Sequence, residues 1–385
     1  MPFAAALSTA LPTAEAARQV CASCGALADA DLGVVFFSPH HADSALDLTR
    51  AIHDRLRPRV LIGCIGEAIV GVGREIEHAP ALSLWLARWP EGVDVIPFHL
   101  APETTPDGLS LLGWPDALVE GAPEVAAVLI LGDPFTFPAI EIFLPQVNGD
   151  CRGVPVFGGM ASGMDGPGAT PLILGRDVHT VGAVGVVLRG PVSVAGVVSQ
   201  GCRPVGKPFV VTKAQDHHVL ELGGRPALDQ LRATYEGLSP HDQQLFQRGP
   251  HVGLVINEYL PTFQRGDFLV RNVYAVDRAS GAMTITDRAR VGQTLQFHVR
   301  DADTADEDLR LMLDQSRGSA PAAALMFTCN GRGSRLFGAP HHDAAAVQDV
   351  LGAIPLAGLF AAGEFGPIGG QNFLHGFTAS VVVFG

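Results

Sequence analysis

The sequence predicts a mixed α/β (α+β) fold: two related halves of repeated strand–loop–helix–strand units in mixed sheets, with antiparallel ribbons. Three observations carry this. A short pattern occurs three times, opening at Gly33-Val-Val-Phe-Phe-Ser38, Ala127-Val-Leu-Ile-Leu-Gly132 and Ala324-Leu-Met-Phe-Thr-Cys329. Each copy runs through a polar turn and a helical stretch into a second apolar run with glycine at or near its end: Val60-Leu-Ile-Gly-Cys64, Val154-Pro-Val-Phe-Gly-Gly159 and Ile354-Pro-Leu-Ala-Gly358. Between the second and third copies the pattern changes to short apolar runs broken by glycine and proline, as in a meander. A strand–helix–strand unit pairs its strands in parallel. The expectation is a parallel sheet whose strand ends share one rim, and ligands collect outside the carboxyl ends of such strands.

Thr13 to Leu27 reads as an amphipathic helix. In the first copy, Leu46, Leu48, Ile52 and Leu56 form a helical stripe over Asp43 to Leu56, with Asp43 or Ser44 as its cap. Thr136 to Val147 and Asp343 to Leu351 hold the same place in the later copies. Leu172 to Gly175, Gly182 to Leu188, Val192 to Val198 and Pro208 to Thr212 read as strands, Pro226 to Tyr235 and Pro240 to Gln247 as helices. Strand character returns at His251 to Glu258, Phe268 to Val276, Met283 to Thr286 and Val291 to Val299, with Ser280-Gly281 in a hairpin turn. Asp303 to Arg317 is an acidic helix. The polar segment 213–224 reads as a surface connector, with a domain junction near Gly223-Gly224.

Composition narrows the function classes. The chain has 385 residues, 47% of them hydrophobic, so it can bury a large core. Its 39 acidic and 26 basic residues leave a formal net charge of −13, which argues against nucleic acid or an anionic membrane as the main partner. Lys207 and Lys213 are its only lysines. No apolar run suits a membrane span, the amino terminus lacks the basic region of a secretory signal, and six cysteines are too few for a disulfide scaffold. A cytoplasmic protein with reduced thiols is expected.

The densest polar motif is Thr328-Cys-Asn-Gly-Arg-Gly333. Glycine lets backbone amides approach a ligand, and the Arg332 fork suits a carboxylate, unless it pairs with a structural acid. A second cluster runs from Gly358 to Phe377 and holds Glu364, Asn372 and His375. Two copies place a carboxylate beside glycine, at Gly66-Glu67 and Gly363-Glu364. A third segment, Ser199 to Pro208, offers Gln200 and Arg203. Cys21-Ala-Ser-Cys24 has metal or redox spacing but no second pair. His40-His41, His217-His218 and His341-His342 read as loop histidines, and no metal site is expected.

These residues resemble the FIST family, named for F-box and intracellular signal transduction proteins. The resemblance runs through Phe36-Phe-Ser38, Leu61-Ile-Gly-Cys-Ile-Gly-Glu67, Ser199-Gln-Gly-Cys-Arg-Pro-Val-Gly206, Val211-Thr-Lys-Ala214, Gly224-Arg-Pro-Ala-Leu228, Cys329-Asn-Gly-Arg-Gly333, Ile354 to Gly358 and Gly363-Glu364. It implies an N-type module over 30–223 and a C-type module over 224–385, after a helical extension over 1–29. It also implies a sensory role: small ligands, with amino acids proposed, and outputs such as histidine kinases. Some members resemble haem-binding sensors, and one branch follows an F-box. The segment before residue 30 is too short for an F-box, so a separate signalling partner is expected.

The leading expectation is therefore a small-molecule sensor without catalysis or cofactor. Cys329, Asn330, Arg332 and Glu364 are the first candidates to line its site; Cys64, Glu67, Arg203, Asn372 and His375 are the second. Arg332 would hold a ligand carboxylate, and Glu364 an amine. The alternatives are an enzyme with Cys329 as nucleophile and His375 as base, an interaction scaffold, and a haem sensor.

Overall fold

The computed structural model describes residues 3–106, 108–119 and 124–385. With 41% strand and 26% helix, the fold is of the mixed class. The chain forms two compact units. One holds residues 1–198 and 309–385, and the other residues 199–308.

The first unit is built three times over. Each repeat has an opening strand, two parallel strands joined by a helix, a hairpin and a closing strand. The parallel pairs are Leu32–Phe37 with Val60–Ile65, Val125–Gly132 with Val156–Met160, and Ala323–Cys329 with Leu356–Ala361. Their joining helices are Ala45–Leu56, a π turn Ala139–Phe143 running into Leu144–Asp150, and His342–Leu351. The closing strands Leu82–Ala87, Ala183–Arg189 and Thr378–Phe384 return antiparallel beside the first strand of each pair.

The hairpins tie the repeats together. The first repeat lends Ile69–Gly71 to the third repeat's Leu356–Ala361. The third lends Glu364–Ile368 to the second repeat's Val156–Met160. The second lends Leu172–Leu174 to the first repeat's Val60–Ile65. The exchange closes a cycle, so no repeat completes its sheet alone. The parallel pairs thus sit in three mixed sheets, as the fold class expected from the sequence has it, one sheet to each pair. Only one helical crossover occurs in each repeat, and the hairpin that follows it pairs antiparallel with the strand of the repeat it joins.

One glycine marks the equivalence. Gly63, Gly158 and Gly358 oppose Val35, Ile130 and Met326 in the three parallel pairs. A Cβ on any of them would run into the carbonyl oxygen of that opposing residue. One face of each sheet feeds a common core that includes Phe36, Leu129, Phe157, Phe327 and Leu359. The other face of the second sheet buries Val128, Ile130 and Phe365 with Phe143; that of the third buries Ala324 and Met326 with Val347 and Leu351. Residues 3–29, within the expected extension, supply the edge strand Phe3–Ser8 and the helix Thr13–Ser23 of the first repeat. Phe3 packs on Trp85, Trp89 and Phe384.

The second unit is inserted into the third repeat, between its opening strand Val194–Gln200 and its parallel pair. It is an antiparallel barrel of six strands: Cys202–Gln215, Thr294–Arg300, His251–Val255, Phe268–Val276, Met283–Ile285 and His218–Leu222, which closes on the first. Phe209, Val252, Leu254, Met283, Leu295 and Phe297 fill it. The expected connector 213–224 is a hairpin of this barrel, and Gly223-Gly224 its next turn. Its polar residues are the outward side of paired strands, and the register shifts at Lys213 interrupt their alternation.

Candidate functional site

The carboxyl ends of the three parallel pairs are bound to one another. Ser162 Oγ donates to the Phe360 carbonyl at 2.6 Å and accepts from the Glu67 N–H at 2.8 Å. The Met160 N–H donates to Gly363 O, and the Ala362 N–H to Met160 O. One hydroxyl of the second repeat thus contacts the other two. Nothing in the residues around Ser162 singles it out for this role.

Beside this junction, the loop after Ala323–Cys329 holds the densest polar chemistry in the first unit. Gly333 takes φ +59°, and a Cβ there would strike the Phe360 ring and Glu77. The turn folds Arg332 inward until it is fully buried. Its Nε and Nη2 donate to both oxygens of Asp343, at 2.6 and 2.8 Å. Thr328 Oγ1 adds a third donor to Asp343 at 2.8 Å. Burial alone would raise the Asp343 carboxyl; the Arg332 charge and these hydrogen bonds outweigh it and hold the carboxyl well below its ordinary range. Arg332 stacks over Phe337, which stacks on His342 at 3.4 Å.

The first repeat's hairpin completes the cluster. Glu75 is buried, and its Oε1 accepts from the Ala344 N–H at the start of the His342–Leu351 helix. Burial, then the charge of Asp343, pushes the Glu75 carboxyl up to about 8. Its proton is therefore held more tightly than that of an ordinary carboxyl. Glu77 accepts from both the N–H and the hydroxyl of Ser334. His341 Nδ1 accepts from the Glu75 N–H. At the surface Arg335 pairs with Glu67 and donates to the Asn330 carbonyl. Three buried atoms here have no hydrogen-bond partner among the described residues: Asn330 Oδ1, Arg332 Nη1 and Glu75 Oε2.

The expected site residues divide into groups. Asn330, Arg332 and Glu67 belong to this cluster, and Cys329 ends the strand that leads into it. Arg332 is not free to clamp a carboxylate bidentately, because Asp343 takes two of its nitrogens. Glu364 instead accepts from the N–H and the hydroxyl of Thr378. It pairs with Gly159 as Ile69 pairs with Leu359, so Glu364 is a strand residue while Glu67 is a loop residue. The likeness of the two Gly-Glu pairs is not structural equivalence. Asn372 bridges the Val156 N–H, the Val154 carbonyl and Asn148. His375 Nε2 is engaged with the Gly366 carbonyl. Cys64 is buried in a strand, and burial pushes its thiol up. In the second unit Arg203 binds Asp301 at 2.6 Å and also Asp242.

Asp343, Glu75, Glu77 and Arg335 were missed. Glu75 and Glu77 alternate in Arg74-Glu-Ile-Glu77, which marks one face of a strand, but nothing local shows that this face meets the third repeat. Asp343 read only as a helix start. Among the described residues no group of histidines, cysteines and acids could hold a metal ion. Cys21 lies on the helix Thr13–Ser23 and Cys24 directly follows it, their thiols pushed up to about 11 and about 12 by burial. No helix among the described residues is long and apolar enough to cross a membrane.

Comparison with known proteins agrees with the motifs. The FIST N domain model matches residues 31–225, and the FIST C domain model residues 227–367. The chain belongs to the FIST family. FIST domains are associated with sensory signal transduction. Uncharacterized proteins of Mycobacterium tuberculosis and Mycobacterium bovis are each 44% identical to this FIST chain over 356 residues. The alignment covers 92% of this chain and 91% and 90% of theirs. The boundary between the two FIST matches falls inside the second compact unit, at the strand Arg225–Pro226.

Proposed function

We propose that this FIST protein is a cytoplasmic small-ligand sensor that signals through a separate partner and binds its ligand at the Asn330–Ser334 loop. The observation that supports this reading is the unspent hydrogen-bonding capacity of Asn330 Oδ1, Arg332 Nη1 and Glu75 Oε2 around one glycine turn. Unmet buried polar atoms are costly unless something else satisfies them. The set offers a cationic donor, a buried carboxyl oxygen and an amide acceptor. A small zwitterion such as an amino acid matches it: its carboxylate takes Arg332 Nη1, and its ammonium donates to Asn330 Oδ1. The Arg335–Glu67 pair stands at the surface of this loop and must yield for a ligand to enter.

The coupling to a partner follows from the connections. Glu75 and Glu77 come from the first repeat, Arg332 and Asp343 from the third, and Ser162 of the second joins both. A ligand that binds one arrangement of this junction better shifts the equilibrium by that difference in affinity. The test is a thermal-shift screen of the twenty amino acids against wild type and Asn330→Ala. A ligand at one hundred times its dissociation constant adds about 2.7 kcal/mol. Stabilisation of wild type that Asn330→Ala loses supports the reading. Equal stabilisation of both proteins, or of neither, refutes it.

A further inference from the structure

The inserted barrel carries a second feature that the sensor reading does not use. Its long strand Cys202–Gln215 pairs Val205 with Phe297 and then resumes at Phe209 with Leu295. Gly206, Lys207 and Pro208 therefore bulge opposite the single residue Gln296. Gln296 Nε2 holds the bulge by donating to the Gly206 carbonyl at 3.0 Å. Gly206 adopts φ +66°, and a Cβ there would press on the Thr234 methyl. The bulge thus lies against the helix Ala227–Glu236 with no room for a larger residue. Bulges re-aim side chains and are common beside functional sites.

Between the bulge and that helix lies a cleft of about 460 Å³, a volume in the range of small-molecule sites. Phe209, Ala233, Thr234 and Leu238 supply apolar surface. Lys207 and Arg225 supply charge, and no carboxylate lines the cleft. The Lys207 ammonium lies 5.5 Å from the centre of the Phe209 ring, so the cation stands over the apolar wall. Neither Lys207 nor Arg225 has an ion pair to an acid among the described residues. In a chain with net charge −13 and only two lysines, two unneutralised cations facing one apolar cleft is an unusual placement.

We propose that this cleft binds a small organic acid: a carboxylate joined to an apolar body, with no amine. The carboxylate meets Lys207 and Arg225, and the body lies on Phe209 and Leu238. A zwitterionic amino acid is disfavoured, because nothing acidic lines the cleft to receive its ammonium. This site is separate from the Asn330 loop and does not depend on it.

The test is ligand-observed NMR and calorimetry on the full chain. Phenylacetate is compared with phenethylamine, phenylalanine and inorganic phosphate. Phenylacetate is expected to bind, and to weaken about tenfold or more in Lys207→Gln/Arg225→Gln. Both side chains are exposed, so the variant should unfold at the wild-type temperature. Ala233→Trp fills the cleft and should abolish binding, while Asn330→Ala should leave it unchanged. The proposal is overturned if phenylacetate does not bind at millimolar concentration, or if the Gln variant binds it as well as wild type. It is also overturned if phenethylamine or phosphate binds equally well, if phenylalanine binds the Asn330→Ala variant as well as phenylacetate does, if Ala233→Trp still binds phenylacetate, or if Asn330→Ala abolishes phenylacetate binding.

Discussion

The first and third repeats share a scaffold and part company where the first parallel strand ends. In the first, seven residues, Ser38 to Ser44, lead to the joining helix, and Ser38 Oγ spends itself on the Ala81 N–H. In the third, twelve residues, Asn330 to His341, make the same connection, with the short helix Ser334–Phe337 among them. That longer loop carries Arg332, and the helix it reaches holds Asp343 in its first turn. The scaffold is fixed by strand contacts common to all repeats, while the chemistry sits in a loop that those contacts leave free to vary.

The scaffold half of this comparison predicts the largest effects. Valine at Gly63, Gly158 or Gly358 would meet a carbonyl of the neighbouring strand. Each should lose more than about 4 kcal/mol or fail to fold, as read by denaturant unfolding. A tolerated substitution at one position would break the equivalence of that repeat.

The next effect belongs to the third repeat alone. Asp343→Ala leaves the Arg332 charge buried without its partner and should lose about 3 kcal/mol or more. The double variant Arg332→Met/Asp343→Ala should recover part of that loss. If the single variant costs nothing, the pair is not the buried anchor its geometry describes.

A smaller effect is a pH dependence. Glu75 is raised in the folded protein by burial and by Asp343, with Glu77 adding to the rise; the Ala344 N–H and Arg332 oppose it. The folded state therefore holds a proton that the unfolded state releases at the ordinary value of 4.5. The stability Glu75 contributes is complete below pH 4.5 and is lost as the pH rises to about 8. The slope is at most about 1.4 kcal/mol per pH unit. Glu75→Gln should flatten it. Asp343 has the opposite sign, since its lowered carboxyl gives stability that is lost only in acid, below its ordinary 3.8. An unchanged slope in Glu75→Gln would assign the titration to another group.

The smallest effect returns to the first repeat. Ser44 precedes its joining helix but makes no side-chain cap bond, so Ser44→Ala should change stability by less than about 0.5 kcal/mol. A loss near 1 kcal/mol would show that the cap forms in solution.

Much of this was legible in the residues, for physical reasons. Buried parallel strands read as continuous apolar runs, and glycines placed by backbone clash recur at one position, so the threefold unit was visible. The hairpin exchange was not. Ile69-Val-Gly71 is short, and nothing in three apolar residues says which sheet edge it joins. For the same reason the cluster was half seen. Asn330, Arg332 and Glu67 stood out in glycine turns, whereas Glu75 and Asp343 acquire their roles only when the first repeat's hairpin reaches the third repeat's helix. Glu364 and Asn372 misled because a polar residue among glycines looks the same whether it awaits a ligand or satisfies the backbone.

Hydrogen exchange of the full chain, with and without a mixture of the twenty amino acids, tests the central claim most directly. The account predicts slower exchange across Asn330 to Ala344, with Ser38 to Ala45 of the first repeat unchanged. Protection confined to Ser38–Ala45, or none at Asn330–Ala344, would contradict it.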